Sequence, residues 1–369
     1  MDQTGIDLQQ RVLALMARGV AQPTSDEEFD QLARDIFAFQ YERCAPYRAY
    51  CDRVKLTPNS VTHWKQIPAV PTSAFKDFAL TCFPVEEAVA EFHTSGTTRE
   101  KAGKHYLRTL DLYNAAVLPN FVGHLLSDGV RLPMMVLTPS PREAPHSSLS
   151  HMMGMVLQEF GTEDSGFYFV RGHLLIEKLV RDLCEAQWAH QPVFLLGTAF
   201  AFVHVFDHLA QQNLKLEMPE GSRAMETGGY KGRSREMPKV ELYGLFEHFM
   251  GFPAALVVNE YGMTELGTQF YDGSLPLGRQ TDQKAVPPWA RVLMIDPNTG
   301  REAADNERGL IRVIDLANLW SMVCVQTEDL GISRASGLRP GLSEFEILGR
   351  AAGAEVRGCS LNAENLGIA

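Results

Sequence analysis

Between Glu91 and Tyr106 the chain reads EFHTSGTTREKAGKHY, which places Ser95, Gly96, Thr97 and Thr98 just ahead of Lys101 and Lys104. Glycine lets the backbone approach a phosphate, hydroxyl and N–H groups donate to its oxygens, and a cation offsets its charge. All three ingredients are present in this stretch. The spacing is not that of a Walker loop: Gly96 and Gly103 are too far apart, and His105 follows Lys104 where Ser or Thr is required. Taken alone, the stretch also has the composition of a solvated polar turn.

Three later stretches carry complementary chemistry. In VNEYGMTE (258–265) the ring of Tyr261 can stack on a base, Thr264 can donate to a phosphate and Glu265 can hold Mg²⁺. METGGYKG (225–232) ends a strand-like run in Gly228 and Gly229, against whose bare backbone a flat ring can lie. VQTEDLG (325–331) sets Asp329 just after a strand-like run, where a carboxylate can accept from both ribose hydroxyls. Each stretch alone is equally an ordinary turn, cap or solvated strand end. Their order along one chain is what joins them.

The scaffold for this chemistry is a globular one. With 369 residues and 45% hydrophobic content, the chain can bury one large core or two ordinary ones. Its 34 basic and 45 acidic residues give a net charge of -11 with no block of like charges, which argues against nucleic acid as a partner. Small molecules or proteins are expected instead. The six cysteines form no CxxC pair and read as reduced thiols of the cytosol. MDQTGIDLQQRVLALMARG lacks the succession of a secretory signal, and VFLLGTAFAFVHVF (193–206) is too short and too interrupted to span a bilayer. A cytoplasmic location is expected, and the apolar run should be a buried strand entering a helix.

Ser25 as N-cap, three acids in the first turn and Phe29, Leu32, Ile36 and Phe39 at helical spacing predict a helix within 22–43. The prolines of WKQIPAVPTSAFK (64–76) predict an extended segment. LPMMVLTPS, VFLLG, AMETGG and AALVVNEYG alternate with helical runs near 148–160, up to about 212, and 236–250, which predicts an α/β sheet flanked by helices. Beyond about residue 285, ARVLMID, GLIRVID, MVCVQTED and EFEILGR predict a β-rich subdomain with hairpin turns.

In this order, HTSGTTREK, TGGYK, EYGMTE and QTED resemble the signature segments of the adenylate-forming superfamily: acyl-CoA synthetases, peptide-synthetase adenylation domains and luciferases. More narrowly, FAFQYERCAPYRAYC, IPAVPTSAFK, SSLSHM and GRAAGAEVRGCSL resemble the branch of bioluminescence acyl-protein synthetase and phenylacetate-CoA ligase. The resemblance implies the α/β fold of that superfamily's N-terminal domain, without its mobile C-terminal domain. Residues 1–369 then form a single adenylating core: a helical part (1–85), an α/β body (86–284) and a β-rich subdomain (285–369).

The implied reaction is attack of a carboxylate on the α-phosphorus of ATP, giving an acyl-adenylate and pyrophosphate, with Mg²⁺ as metal. By the resemblance, Ser95, Gly96, Thr97, Thr98 and Lys101 serve the β- and γ-phosphates. Gly228, Gly229, Tyr230, Tyr261 and Gly262 surround adenine and the acyl site. Thr264 meets the α-phosphate, Glu265 the metal, Asp329 the ribose, and Arg350 the ribose or α-phosphate. Arg99 stands where the family prefers glycine, and the family's late catalytic lysine has no counterpart, Lys284 being the last lysine of the chain. Lys231 is the candidate substitute cation.

Cys359, two residues from Arg357, resembles the self-acylated cysteine of the acyl-protein synthetases. The expected partners are an aromatic or fatty carboxylic acid and a reductase or other acyl-acceptor protein. The length further resembles truncated members of phenazine-antibiotic pathways. Phe200, Phe202, His204, Phe206 and 147–153 are candidates to line the acid pocket. Alternatives are a non-catalytic ATP-binding homologue and a CoA ligase.

Overall fold

A computed structural model of the chain describes residues 2–94, 101–228, 237–335 and 343–351. The chain divides into two compact units. One comprises Met1–Asn120, Met263–Phe270 and Gln283–Ala369, the other Phe121–Gly262 and Tyr271–Asp282.

Helices α1 (Gln3–Met16), α2 (Asp26–Arg43) and α3 (Ala45–Val54) open the chain. The predicted cap of α2 is in place, with the Ser25 hydroxyl accepting from the Glu28 N–H at 3.1 Å and three acids lying at the positive end of the helix. The segment 64–76 is extended only in part. A 3-10 turn at Trp64–Gln66 stops ahead of Pro68, strand β1 (Val70–Pro71) follows, and helix resumes at α4 (Ala74–Asp77) once the prolines are past. Proline keeps the residue before it out of the helical region, so the helical turns flank the prolines and do not include them.

After the hairpin β2 (Ala90–His93) and β3 (Lys104–Leu107) comes α5 (Asp111–Leu125). The alternating region then runs β4 (Met134–Pro139), α6 (Ser148–Phe160), β5 (Gly166–Val170), β6 (His173–Leu174), α7 (Ile176–Trp188), β7 (Phe194–Thr198) and α8 (Ala199–Gln211). It continues with β8 (Arg223–Thr227), α9 (Lys239–Met250), β9 (Val257–Tyr261), β10 (Phe270–Tyr271) and α10 (Ser274–Leu277). Strands β11 (Gln283–Ala285), β12 (Ala290–Ile295), β13 (Arg308–Asp315), β14 (Cys324–Ala335) and β15 (Ser343–Arg350) complete the elements. Helix α9 starts at Lys239, later than the sequence suggests, because Pro238 holds an extended conformation (φ -55, ψ 143) immediately ahead of it.

The alternation produces a seven-stranded sheet of order β10-β9-β8-β7-β4-β5-β6. Strands β5, β4, β7, β8 and β9 are mutually parallel. The apolar runs of the central strands β4, β7 and β8 are buried, as a parallel sheet covered by helices requires, whereas β5 buries only Tyr168. Register brings Thr198, Thr227 and Glu260 level at the carboxyl ends of β7, β8 and β9, the edge at which open α/β sheets bind ligands. The apolar run 193–206 is the buried strand and helix expected of it. Phe202 and Phe206 pack their rings 4.8 and 4.9 Å from Phe246 inside this unit's core, where they serve packing. Truncating a buried Phe of this kind costs about 3–5 kcal/mol. His204 is exposed, with Phe200 edge-on at 4.5 Å.

The β-rich part is a second sheet, β11-β15-β14-β13-β12, with β1 parallel to β14. The hairpin β12–β13 turns through PNTG, where the Asp296 N–H donates to Arg301 O and Gly300 takes a φ of +69. One expectation is corrected here: β14 does not end at TED but continues to Ala335, so Asp329 lies within the strand. In the ladder Arg350 of β15 stands directly opposite Asp329.

Candidate active site

The polar loop is held by its ends. The β2–β3 hairpin pairs His93 with Lys104 and Phe92 with His105. The Thr94 hydroxyl then accepts from the Gly103 N–H at 2.8 Å, and the Thr94 N–H donates back to the Gly103 carbonyl at 2.9 Å. Ser95, Gly96, Thr97 and Thr98 lie outside the described residues, as do Gly229, Tyr230, Lys231 and Cys359. Lys101 is 69% exposed, and among the described residues its ion-pair partner is Asp77, at 3.9 Å. Lys104 bonds Glu91 at 3.0 Å. His93 also contacts that carboxylate, and the two bonds hold Glu91 below the usual carboxylate range. Of the two lysines, Lys101 is the more available to an incoming anion.

The segment carrying Thr264 and Glu265 is tied to this hairpin at two points. The Thr264 hydroxyl donates to the His93 carbonyl at 3.1 Å, and Nδ1–H of His105 donates to the Thr264 carbonyl at 2.8 Å. His105 is buried edge-on against Phe75, and that burial pushes its pKa down to about 4, so the ring is neutral near pH 7.

Beyond Glu265 the chain is anchored from below by Asp315, a fully buried carboxylate at the end of β13. It accepts from the N–H groups of Gly267 (3.0 Å), Thr268 (2.9 Å) and Ala317 (3.0 Å) and from the Thr268 hydroxyl (2.7 Å). Trp289 donates its indole N–H to the same hydroxyl at 3.1 Å. Burial still pushes Asp315 up to about 6 against those bonds. Gly267 has to be glycine, since a Cβ there would stand 2.7 Å from that of Ala317.

Glu265 itself is 8% exposed, and among the described residues no cation pairs with its carboxylate. Burial pushes its pKa up to about 7, and the nearby carboxylates of Asp329 and Glu328 push in the same direction against Arg350. Arg350 is instead paired with Glu328 at 3.0 Å and is 76% exposed. A register shift at Leu330/Gly331, with Gly349 at φ +119, kinks β14 and β15 beside these groups. Bulges at such places re-aim side chains. Glu265, Asp329 and Glu328 are oxygen donors of the kind a hard divalent cation takes, but among the described residues the ligand atoms gathered closely enough to share an ion are those of Glu91, His93 and His146.

The other unit carries the remaining candidates at the carboxyl ends of β8 and β9. Gly228 directly follows β8, and among the described residues nothing lies within 4 Å of where its Cβ would stand. Tyr261 ends β9 half-buried, and Gly262 follows it. Beneath them is a polar layer that sequence reasoning missed. Thr227 donates its hydroxyl to Glu260, while Glu226 accepts from Asn259 Nδ2 at 2.6 Å and from the Tyr243 hydroxyl at 3.2 Å. Lys239, the first residue of α9, reaches Asp282 at 2.6 Å and Asp272 at 3.5 Å above the Tyr243 ring. The signal was present in METGG and VNEYG as acids inside otherwise apolar strands. Such acids require partners when buried.

Several solved adenylate-forming ligases share this architecture. A 2-hydroxyisobutyryl-CoA ligase in complex with an acyl-AMP aligns over 89% of this chain and 69% of its own, with TM-score 0.67 and 14% identity. ATP-bound MatB from Rhodopseudomonas palustris aligns over 74% of this chain and 50% of its own, with TM-score 0.52 and 16% identity. The fold is that of the adenylate-forming ligases. Within that class, the description "Acyl-protein synthetase, LuxE" matches residues 13–366, and the chain belongs to that family. It is 24% identical over 345 residues to the long-chain-fatty-acid–luciferin-component ligase of Aliivibrio fischeri, covering 91% of this chain and 88% of that protein. The Vibrio harveyi protein of the same name is 23% identical over 361 residues, covering 94% and 91%. Among the described residues no helix is long and apolar enough to cross a membrane.

Proposed function

We propose that this protein activates a carboxylic acid with ATP and passes the acyl group to a protein partner. A carboxylate oxygen attacks the α-phosphorus, the bond from that phosphorus to the β-bridging oxygen breaks, and pyrophosphate leaves with the electron pair. The protein's task is to align two anions and neutralise charge as it builds. The observation that carries the reading is Glu265, a buried carboxylate held above its usual range beside Asp329 and Glu328. A bound Mg²⁺ would supply the positive charge this group lacks and screen the phosphates.

Around it we assign Thr264 and Arg350 to the α-phosphate, Asp329 to the ribose, and Ser95 to Thr98 with Lys101 to the departing pyrophosphate. Gly228, Gly229, Tyr230, Tyr261 and Gly262 take adenine and the acyl side, with Lys231 as the additional cation. Membership of the acyl-protein synthetase family supports a protein acceptor for the acyl group, which we take to be a reductase that yields an aldehyde, and the relatives named for a long-chain fatty acid support a fatty acyl chain. Cys359 is the candidate thiol for transfer: its sulfur attacks the acyl carbon, and AMP departs.

Hydroxamate formation from ATP, hydroxylamine and a panel of fatty and aromatic acids tests the reading. Turnover with one class is expected. ATP binding without turnover on any acid contradicts it and favours the non-catalytic alternative. A Cys359→Ser protein is expected to form hydroxamate yet retain no acyl group on the protein.

A further inference from the structure

We propose a second small-molecule site in the unit that carries β12 to β15, built to take an organic monocarboxylate with an apolar body. A cavity of about 440 Å³ lies against the face of that sheet, its floor including Arg312 of β13 and Gln326 of β14 and its wall including Val54, Ile67 and Leu310. That volume is in the range of small-ligand pockets, about 300–1,000 Å³.

The charges of the lining leave one group over. Lys65 is held by both oxygens of Glu302, at 2.9 and 2.8 Å. Asp296 accepts from the Asn298 N–H at 2.7 Å within its own turn. Arg312 has no carboxylate partner among the described residues. Only its Nε is bonded, to Gln326 Oε1 at 2.9 Å, which leaves both terminal nitrogens of the guanidinium to donate.

That guanidinium is deliberately held. Gln326 is 2% exposed, and its amide N–H₂ bonds the Ile311 carbonyl at 3.0 Å, which fixes its oxygen toward Arg312. A half-buried fork of donors without a counter-ion costs solvation that an entering anion restores, and a planar carboxylate matches its geometry. The apolar wall then selects a hydrocarbon or aromatic body over a bare inorganic ion. None of the residues assigned to ATP takes part, so the site stands independently of the activity proposed above.

The test is methyl-selective NMR of the full chain, following Ile67, Ile295 and Leu310 during titration with phenylbutyrate, inorganic phosphate and hexanol. Phenylbutyrate is expected to shift all three methyl groups. Arg312→Met is expected to weaken that response at least roughly tenfold without changing pyrophosphate exchange. Val54→Trp, which keeps Arg312 but crowds the cavity from its wall, is expected to abolish the response. Each of three results overturns the proposal: no shift at these methyls, an unchanged response in the folded Arg312→Met protein, or equal responses to hexanol or phosphate.

Discussion

Nδ1–H of His105 donates to the carbonyl oxygen of Thr264 at 2.8 Å, which joins the hairpin after the polar loop to the segment bearing Glu265. Because burial lowers the His105 pKa to about 4, the unfolded chain takes up a proton that the folded one refuses. The resulting stability is complete above the ordinary histidine pKa, about 6.5, and is lost as pH falls toward 4. His105→Phe keeps the edge-on packing with Phe75 but leaves the carbonyl without a donor. Urea denaturation at pH 7 is expected to show a loss of about 1–2 kcal/mol, with a shallower decline between pH 6 and 5 than in the wild type. An unchanged pH slope would remove His105 from the account.

Glu265 has the opposite sign. Its folded pKa is raised to about 7, so the folded state holds a proton that the unfolded state has already released, and stability falls as pH rises from about 4.5 through 7. Glu265→Gln is expected to stabilise the metal-free protein at pH 8 by about 2 kcal/mol. Mg²⁺ is expected to raise the Tm of the wild type more at pH 8 than at pH 6, and to do nothing for Glu265→Gln, since binding requires the deprotonated carboxylate. Equal Mg²⁺ stabilisation of both proteins at pH 8 would place the metal elsewhere.

Asp315 touches no assigned ligand and acts by holding the turn after Glu265. Asp315→Ala strands the N–H groups of Gly267, Thr268 and Ala317, which is expected to cost about 3–5 kcal/mol. Asp315→Asn keeps one acceptor oxygen and is expected to recover part of that loss. If the Asn protein, assayed at a temperature where it remains folded, shows a raised KM for ATP, the turn's geometry is what Asp315 supplies. Wild-type kinetics in that protein would limit it to a role in stability.

The elements legible in the sequence were those set by local chemistry. Ser25 and its acids marked α2, and the alternation from LPMMVLTPS to AALVVNEYG marked the parallel sheet. The β-type runs after residue 285 marked the second sheet. What escaped depends on partners far along the chain. Asp329 read as a strand end because its cross-strand partner, Arg350, is set by the β14–β15 register. Asp315 and His105 stand out by no local pattern, and only their buried bonds to Thr268 and Thr264 give them a role. Glu226 sat within a motif singled out for its glycines, and Asn259 and Tyr243, which satisfy it, come from other elements.

The central claim is that this site forms an acyl-adenylate, and carboxylate-dependent exchange of labelled pyrophosphate into ATP measures that step without any partner protein. With an accepted acid and Mg²⁺, the wild type is expected to exchange, and Glu265→Ala is expected to lose at least about a hundredfold in rate while remaining folded. Exchange that needs no acid, or that survives in Glu265→Ala at the wild-type rate, would contradict the account.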